Sequence, residues 1–266
     1  MNPLAHPFIK WVGGKRQLVP ELLKYVPATY GTYHEPFVGG GALFFALQPR
    51  EAVLSDSNAR LIRTYRGIRD SVHEVIDQLR TFPNEKSFFL DMRKRDIDAG
   101  SYADVAAWFI YLNKTTYNGL YRVNKRNGFN SPFGDFKNPA ICDEPNLLAC
   151  SEALKRAGLP VADFFEYTTN IHQGDFVYFD PPYVPLSATS DFTSYTAEKF
   201  GPDHQKRLRD LALHLRERGV HVVLSNSGSD IVRQLYKDFT IEEVQATRRV
   251  NCQAKGRGAV TELIIH

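Results

Sequence analysis

The pattern of apolar and polar positions divides this chain into two regions of mixed strand and helix, separated by a long helical one. Residues 34–60 read as strand, glycine turn, helix and strand, through HEPFVGGG, ALFFAL and EAVLSD. From Ala59 to about Phe89 apolar residues recur at helical spacing (Leu61, Ile62, Tyr65, Ile68, Val72, Ile76, Leu79), and DVAAWFIYLNK continues helical. The stretch TTYNGLYRVNKRNGFNSPFGDFKNPA then loses the period. Its Asn, Gly, Lys and Arg among aromatics predict a hairpin or a long loop. After Ala162 strands and helices alternate again. FVYFD predicts an interior strand, a helix over 203–218 starts with Asp203 as its cap, VHVVLSN is a second buried strand and DIVRQLYKDF a helix. The tail, IEEVQATRRV and GAVTELIIH, predicts two strands joined by NCQAKGRG. Together these elements predict one α/β sheet assembled from both ends of the chain, with a mostly helical insertion between about 61 and 160.

The junction FVYFDPPY is the most constrained point in that pattern. Phe176 to Phe179 form a short aromatic run suited to a buried strand, and Pro181 and Pro182 then fix φ and stop the ladder. Asp180 therefore falls at the strand's carboxyl end, with Tyr183 just past a stiff turn. In open α/β sheets that end is where ligands bind.

Composition narrows the class more than the function. A chain of 266 residues with 43% apolar residues has ample core for an enzyme-sized fold. The 33 basic and 30 acidic residues leave a formal charge of +3, too mild to name a partner. Cys142, Cys150 and Cys252 form no C-x-x-C pair and read as reduced thiols, which with the absence of a signal-like or membrane-length apolar run predicts a cytoplasmic protein away from membranes. The eight scattered histidines lack ligand spacing, so no metal is expected.

Three further stretches carry chemistry. In EPFVGGGALFF, Gly39, Gly40 and Gly41 follow a strand and let backbone amides approach a ligand. Fifteen residues after Gly41, Asp56 ends the next strand, placed to accept hydrogen bonds from a ribose diol. Dinucleotides and S-adenosylmethionine both carry one, and this pair of features does not choose between them. The G-x-G-x-x-G fingerprint requires glycine where Phe44 stands. In FIKWVGGKRQLVPELL, Lys15 and Arg16 precede a helix, where positive charge opposes the dipole unless an anion is present. In the central loop Arg122, Lys125 and Arg126 alternate with Tyr117, Tyr121 and Phe129, a mixture suited to phosphates, guanine edges and a wedge into a duplex.

The ordered set FIKWVGGK, EPFVGGG and DPPY, with YLNKTTYNGLYRVNKRNGFNSPFG and PPYVPLSATSDFTSY, resembles the Dam-like family of DNA adenine-N6 methyltransferases (the D12 class) over nearly the whole chain. The resemblance implies an α/β fold: a Rossmann-like methyltransferase sheet that binds S-adenosylmethionine, formed by 1–60 and 161–266, with a mostly helical target-recognition insertion at 61–160 and a hairpin near 117–136. It implies that Trp11, Lys15, Pro36, Phe37, Gly39, Asp56, Asp163, Phe164 and Asp180 contact the cofactor, which leaves as S-adenosylhomocysteine. Asp180, Pro181, Pro182 and Tyr183 would be catalytic. The substrate would be adenine flipped out of duplex DNA, in GATC, with no metal and no obligate protein partner. Lys10 would approach the first guanine, Arg122 the guanine of the outer pair on the far side, and Leu120 and Pro132 the thymine methyl. Tyr117 and Asn118 would fill the gap left by the flipped base, and Asn124, Lys125 and Arg126 would complete the DNA-facing set.

Overall fold

β4 (Phe176–Phe179) is buried on both faces, and its alternate side chains feed two different cores. Phe176 and Tyr178 join one core together with Val223 and Ile264; Val177 and Phe179 join the other with Val222, Leu224, Leu263 and Ile265. That period of two is the reason the sheet carries helices on both sides. The protein is seen here as a computed structural model that describes residues 5–166, 170–183, 200–247 and 259–266.

Among these residues seven strands form one sheet. The others are β1 (Tyr33–Glu35), β2 (Ala52–Leu54), β3 (Ala157–Gly158), β5 (His221–Ser227), β6 (Ile241–Thr247) and β7 (Ala259–Ile265). The order is β3-β2-β1-β4-β5-β7-β6, parallel throughout except for β7, which runs antiparallel to both neighbours. The chain leaves β1 towards β2 and β3, then returns to β4 on the other side of β1. The point where the strand order reverses therefore lies between β1 and β4, where such sheets open a crevice at their carboxyl ends.

The helices are α1 (Val19–Leu22), α2 (Ala42–Leu47), α3 (Ala59–Asp70), α4 (Val72–Thr81), α5 (Lys86–Lys94), α6 (Tyr102–Thr115), α7 (Glu144–Leu154), α8 (Pro202–Glu217) and α9 (Asp230–Leu235). Five of them, α3 to α7, lie between β2 and β3. Leu61, Tyr65 and Ile68 of α3 and Phe109 and Leu112 of α6 share the first core with the sheet, so the hydrophobic interior is continuous across this segment. α6 starts with a reciprocal cap: Asp104 N donates to Ser101 Oγ and Ser101 N to Asp104 Oδ2.

Several expectations change in detail. The helical run from Ala59 to Phe89 breaks at Ser71, whose φ of −142° ends α3, and again before α5. α8 is preceded by Gly201 with Pro202 at its first position, so Asp203 sits inside the first turn and is not the cap. β3 falls inside the 61–160 span and pairs with β2; two residues are too few for an alternating pattern to reveal. α1 is a single turn starting at Val19, which leaves Lys15 and Arg16 in the loop before it. The two tail strands pair antiparallel as expected, and NCQAKGRG lies outside the described residues.

α3 crosses α6 at Gly67, where an added Cβ would come within 2.7 Å of the Ala106 Cβ. Gly67→Ala is expected to destabilise the protein, because overpacking of about 1–3 kcal/mol exceeds alanine's helix-propensity gain of about 1 kcal/mol. Urea unfolding measures it; a variant as stable as the wild type would mean that the crossing is looser than described.

Candidate active site

The crevice between β1 and β4 gathers the three sequence motifs. Asp180 follows β4 directly. Its Oδ1 accepts from Lys15 Nζ at 2.9 Å and from Ser225 Oγ at 2.8 Å, while Oδ2 accepts no bond among the described residues. Lys15 is only 5% exposed, its ammonium also donates to the Gly13 carbonyl, and it stands 4.4 Å from the centre of the Tyr183 ring. The anion that the GGKR loop requires is thus supplied by the chain's own strand tip. Tyr183 Oη donates to Glu262 Oε2 at 2.8 Å, which fixes the ring beside the ammonium. The Pro182 carbonyl accepts from Gln205 Nε2 at 3.0 Å, and Gln205 Oε1 accepts from Asn226 Nδ2 at 3.2 Å, so the proline turn is tied to both α8 and β5. The Pro181 carbonyl accepts no bond among the described residues.

Two carboxyls meet here with different surroundings. Burial raises Asp180 above the usual carboxylate range, but the Lys15 ammonium and the Ser225 hydroxyl oppose that rise. Glu35, at the end of β1, has no cation beside it among the described residues. Burial pushes it up to about 8, against the Tyr33 hydroxyl (2.9 Å) and the Phe44 amide, and the neighbouring Asp180 charge pushes it further in the same direction. Asp180 is therefore the carboxylate and Glu35 the neutral acid at pH 7.

The glycine turn lies on the other wall. Gly39 has φ of +45°, and a Cβ there would fall 2.6 Å from the Trp11 indole, so only glycine lets the turn and the ring approach. Asp56, beyond β2, accepts from Gly39 N at 3.3 Å and Asn58 N at 2.9 Å. Burial pushes its carboxyl up to about 6 against those two amides. Further donors from a diol would satisfy it. Val161 bridges to Asp56, and the Ala162 amide donates to the Asp56 carbonyl, which brings Asp163 and Phe164 alongside. Phe164 stacks on Phe37 at 5.3 Å, next to buried Pro36. These residues fit an adenosine-bearing cofactor: an aromatic pair beside a buried acid whose described donors are two backbone amides.

The expected DNA-facing residues form a second cluster. The 117–136 segment folds back on itself through the antiparallel bridges Thr116–Phe133 and Val123–Phe129. Tyr117, Asn118, Arg122, Lys125, Arg126 and Pro132 are exposed, with Leu120 half-buried. Lys10 packs against Gly119, and Asn113 bonds both the Lys10 and Gly119 carbonyls, so the N-terminal loop and this segment form one surface. Trp11, Phe109 and Tyr121 stack beneath it. Asn124 is also exposed, and its Oδ1 accepts from Arg126 N and Gly128 N, which staples the turn. Ser225, Glu262, Gln205 and Glu35 escaped the sequence reading. The signal was present in LSNS, a polar cluster finishing a buried strand, and in the acid that precedes PFVGGG. Residues 184–199, which include all of PPYVPLSATSDFTSY after Tyr183, lie outside the described residues.

Comparison with known proteins finds relatives along nearly the whole chain. A family model for D12 class N6 adenine-specific DNA methyltransferases matches residues 11–250. The chain is 45% identical to the type II methyltransferase M1.LlaDCHI of Lactococcus lactis subsp. cremoris, over 97% of this chain and 94% of that one. It is 40% identical to the type II methyltransferase M.MjaIII of Methanocaldococcus jannaschii, over 97% and 98% respectively. A DNA adenine methylase of Vibrio cholerae is 34% identical over 97% and 94%.

Glu35 makes stability depend on pH in a definite direction. Its folded pKa of about 8 lies above the ordinary 4.5, so the folded protein holds a proton that the unfolded chain releases. This contribution is fully present below pH 4.5 and is lost as pH rises to 8. Glu35→Gln mimics the neutral acid, so its stability relative to wild type should improve between pH 5 and pH 8 by up to about 1.4 kcal/mol per unit. Urea unfolding at both pH values checks this; a pH-independent difference would place the charge elsewhere.

Proposed function

We propose a function from one premise: this chain belongs to the D12 class of N6 adenine-specific DNA methyltransferases. It transfers a methyl group from S-adenosylmethionine to N6 of an adenine turned out of duplex DNA, within GATC. The observation that carries this reading is the Asp180 carboxylate at the end of β4, held on one oxygen by Lys15 and Ser225 and open on the other. The part of 61–160 that precedes β3 is assigned to target recognition, and the rest of the chain to the cofactor and the chemistry. No helix among the described residues is long and apolar enough to cross a membrane. A cytoplasmic location, where DNA and cofactor meet, belongs to the same proposal.

The base must leave the duplex before its exocyclic amine can be reached. Asp180 Oδ2 and the Pro181 carbonyl then accept the two N6 hydrogens, which draws the nitrogen towards sp³ geometry and frees its lone pair. Tyr183, fixed through Glu262, stacks on the base, and Pro182 keeps the turn rigid. Bound S-adenosylmethionine supplies a methyl group on a positively charged sulfonium. Asp56 accepts from its ribose diol, Pro36, Phe37, Asp163 and Phe164 flank its adenine, and Trp11, Lys15 and the Gly39 turn hold its amino-acid end. Positioning of this kind can lower a barrier by up to about 7–11 kcal/mol. Lys10 and Arg122 read the guanines, Leu120 and Pro132 the thymine methyl, and Tyr117 and Asn118 occupy the vacated gap.

Incubation with methyl-labelled S-adenosylmethionine and duplex DNA, followed by digestion to nucleosides and sequencing of modified sites, tests the whole reading. N6-methyladenine confined to GATC is expected; label on cytosine, or on adenine outside GATC, would overturn the reading in whole or in its specificity. Asp56→Ala should weaken cofactor binding by about 1.5–3 kcal/mol, one hydrogen bond to a charged group. Calorimetry with unchanged affinity would remove Asp56 from the site. Arg122→Ala should cost about 1–3 kcal/mol on GATC, with a smaller loss on sites altered at the outer pair. Lys125→Ala, on the exposed turn, should instead weaken all sequences alike and flatten the salt dependence. A uniform loss for Arg122→Ala across GATC and its single-base variants would make it a backbone contact.

A further inference from the structure

We propose that Tyr178 and Ser225 form a one-way hydrogen-bond relay that orients Asp180, making them positioning residues for methyl transfer; this rests on the role assigned to Asp180 above. Tyr178 lies on β4 and Ser225 on β5, and the parallel register pairs Tyr178 with Val223 and Phe179 with Leu224. Ser225 therefore falls level with Asp180, on the same face of the sheet as Tyr178. Both relay residues are fully enclosed, Tyr178 at 1% and Ser225 at 0% exposure. Tyr178 Oη and Ser225 Oγ are 2.9 Å apart, and Ser225 Oγ is 2.8 Å from Asp180 Oδ1.

Chemistry fixes the direction of this chain. An ionised carboxylate only accepts, so Ser225 donates its single hydroxyl proton to Asp180. Ser225 then has no proton left for Tyr178, so Tyr178 Oη is the donor of the second bond. With Lys15 on the same oxygen, Oδ1 carries two donors from two separate elements, and the plane of the carboxylate is set. Oδ2 accepts no bond among the described residues and is left as the acceptor to which one N6 hydrogen is assigned. A serine and a tyrosine satisfying each other inside a core would need no third member; here the chain of donors ends on the one acid at the strand tip.

The charged and titratable groups around Asp180 are Lys15 from the N-terminal loop, Glu35 from β1, Tyr178 on its own strand, Tyr183 beyond the turn, and Glu262 of β7 reached through Tyr183. Glu35 titrates at about 8, so the diagnostic limb is the acid one, below pH 7. Removing the Ser225 donor takes away a contribution that opposes the rise in the Asp180 pKa, so the pH at which the rate falls should move upward.

The test is single-turnover methyl transfer to a duplex oligonucleotide with one target adenine, at saturating cofactor, across pH 5 to 8. Ser225→Ala should slow transfer by about 10–100-fold, the size of one hydrogen bond to a charged group. Its acid limb should shift up while cofactor and duplex affinities hold. Tyr178→Phe, which keeps the ring, should give the same changes at smaller size. Ser225→Thr, which keeps the hydroxyl, should restore both rate and profile. If Ser225→Ala does not fold, Tyr178→Phe decides alone. Variants that lose melting temperature but keep the wild-type rate and acid limb would reduce the pair to a structural contact and overturn the relay. Asp180→Asn separates the two levels of the argument: near-normal transfer by that variant would overturn the role of Asp180 itself, whereas its inactivity beside an unaltered Ser225→Ala would overturn the relay only.

Discussion

The Lys15–Asp180 ion pair organises the rest of the site. An ammonium at 5% exposure and a carboxylate at 20% have both lost most of their water, and each is tolerable only because the other is 2.9 Å away. Removing one member of such a buried pair typically costs about 3–5 kcal/mol, because the other is left uncompensated. The bond also joins distant parts of the sequence, since the N-terminal GGKR loop closes over the end of the central strand. Once closed, that loop brings Trp11 against Gly39 and Lys10 against Gly119, so the glycine turn and the 117–136 segment share one support.

The topology explains why the pair sits where it does. β1 and β4 are adjacent and parallel, yet the chain leaves them in opposite directions, and their carboxyl ends open onto a common crevice. Two acids, Glu35 and Asp180, are consequently near enough at the tips for one charge to act on the other. The Lys15 ammonium resolves the conflict by pairing with Asp180, and Glu35 keeps its proton. A neutral Glu35 in turn spares Asp180 a like charge, so the ionisation state of the site is a property of both strands.

Local patterns made much of this legible. The apolar run ending in DPPY marked a buried strand with an acid at its tip, and the triple glycine with Asp56 fifteen residues later marked the second wall. The Asn- and Gly-rich stretch after α6 announced a fold-back segment, and it is one. Features that depend on register were not legible. Nothing local to Ser225 says that it lies level with Asp180, and nothing local to Glu35 says that it will face another acid. That Asn124 also staples its own turn, through Arg126 N and Gly128 N, is a matter of backbone geometry and not of composition. β3 was invisible because two residues carry no period.

The central claim is that Lys15 acts on catalysis through the Asp180 carboxylate. The most direct measurement is a double-mutant cycle of Lys15→Met and Asp180→Asn, read as single-turnover formation of N6-methyladenine at saturating S-adenosylmethionine, which removes any effect of Lys15 on cofactor affinity. The account predicts strong non-additivity: each single variant is slowed, and the double variant is no slower than Asp180→Asn alone, because no carboxylate remains for the ammonium to hold. Losses that multiply, with Lys15→Met still slowing a protein that lacks the Asp180 charge, would contradict it.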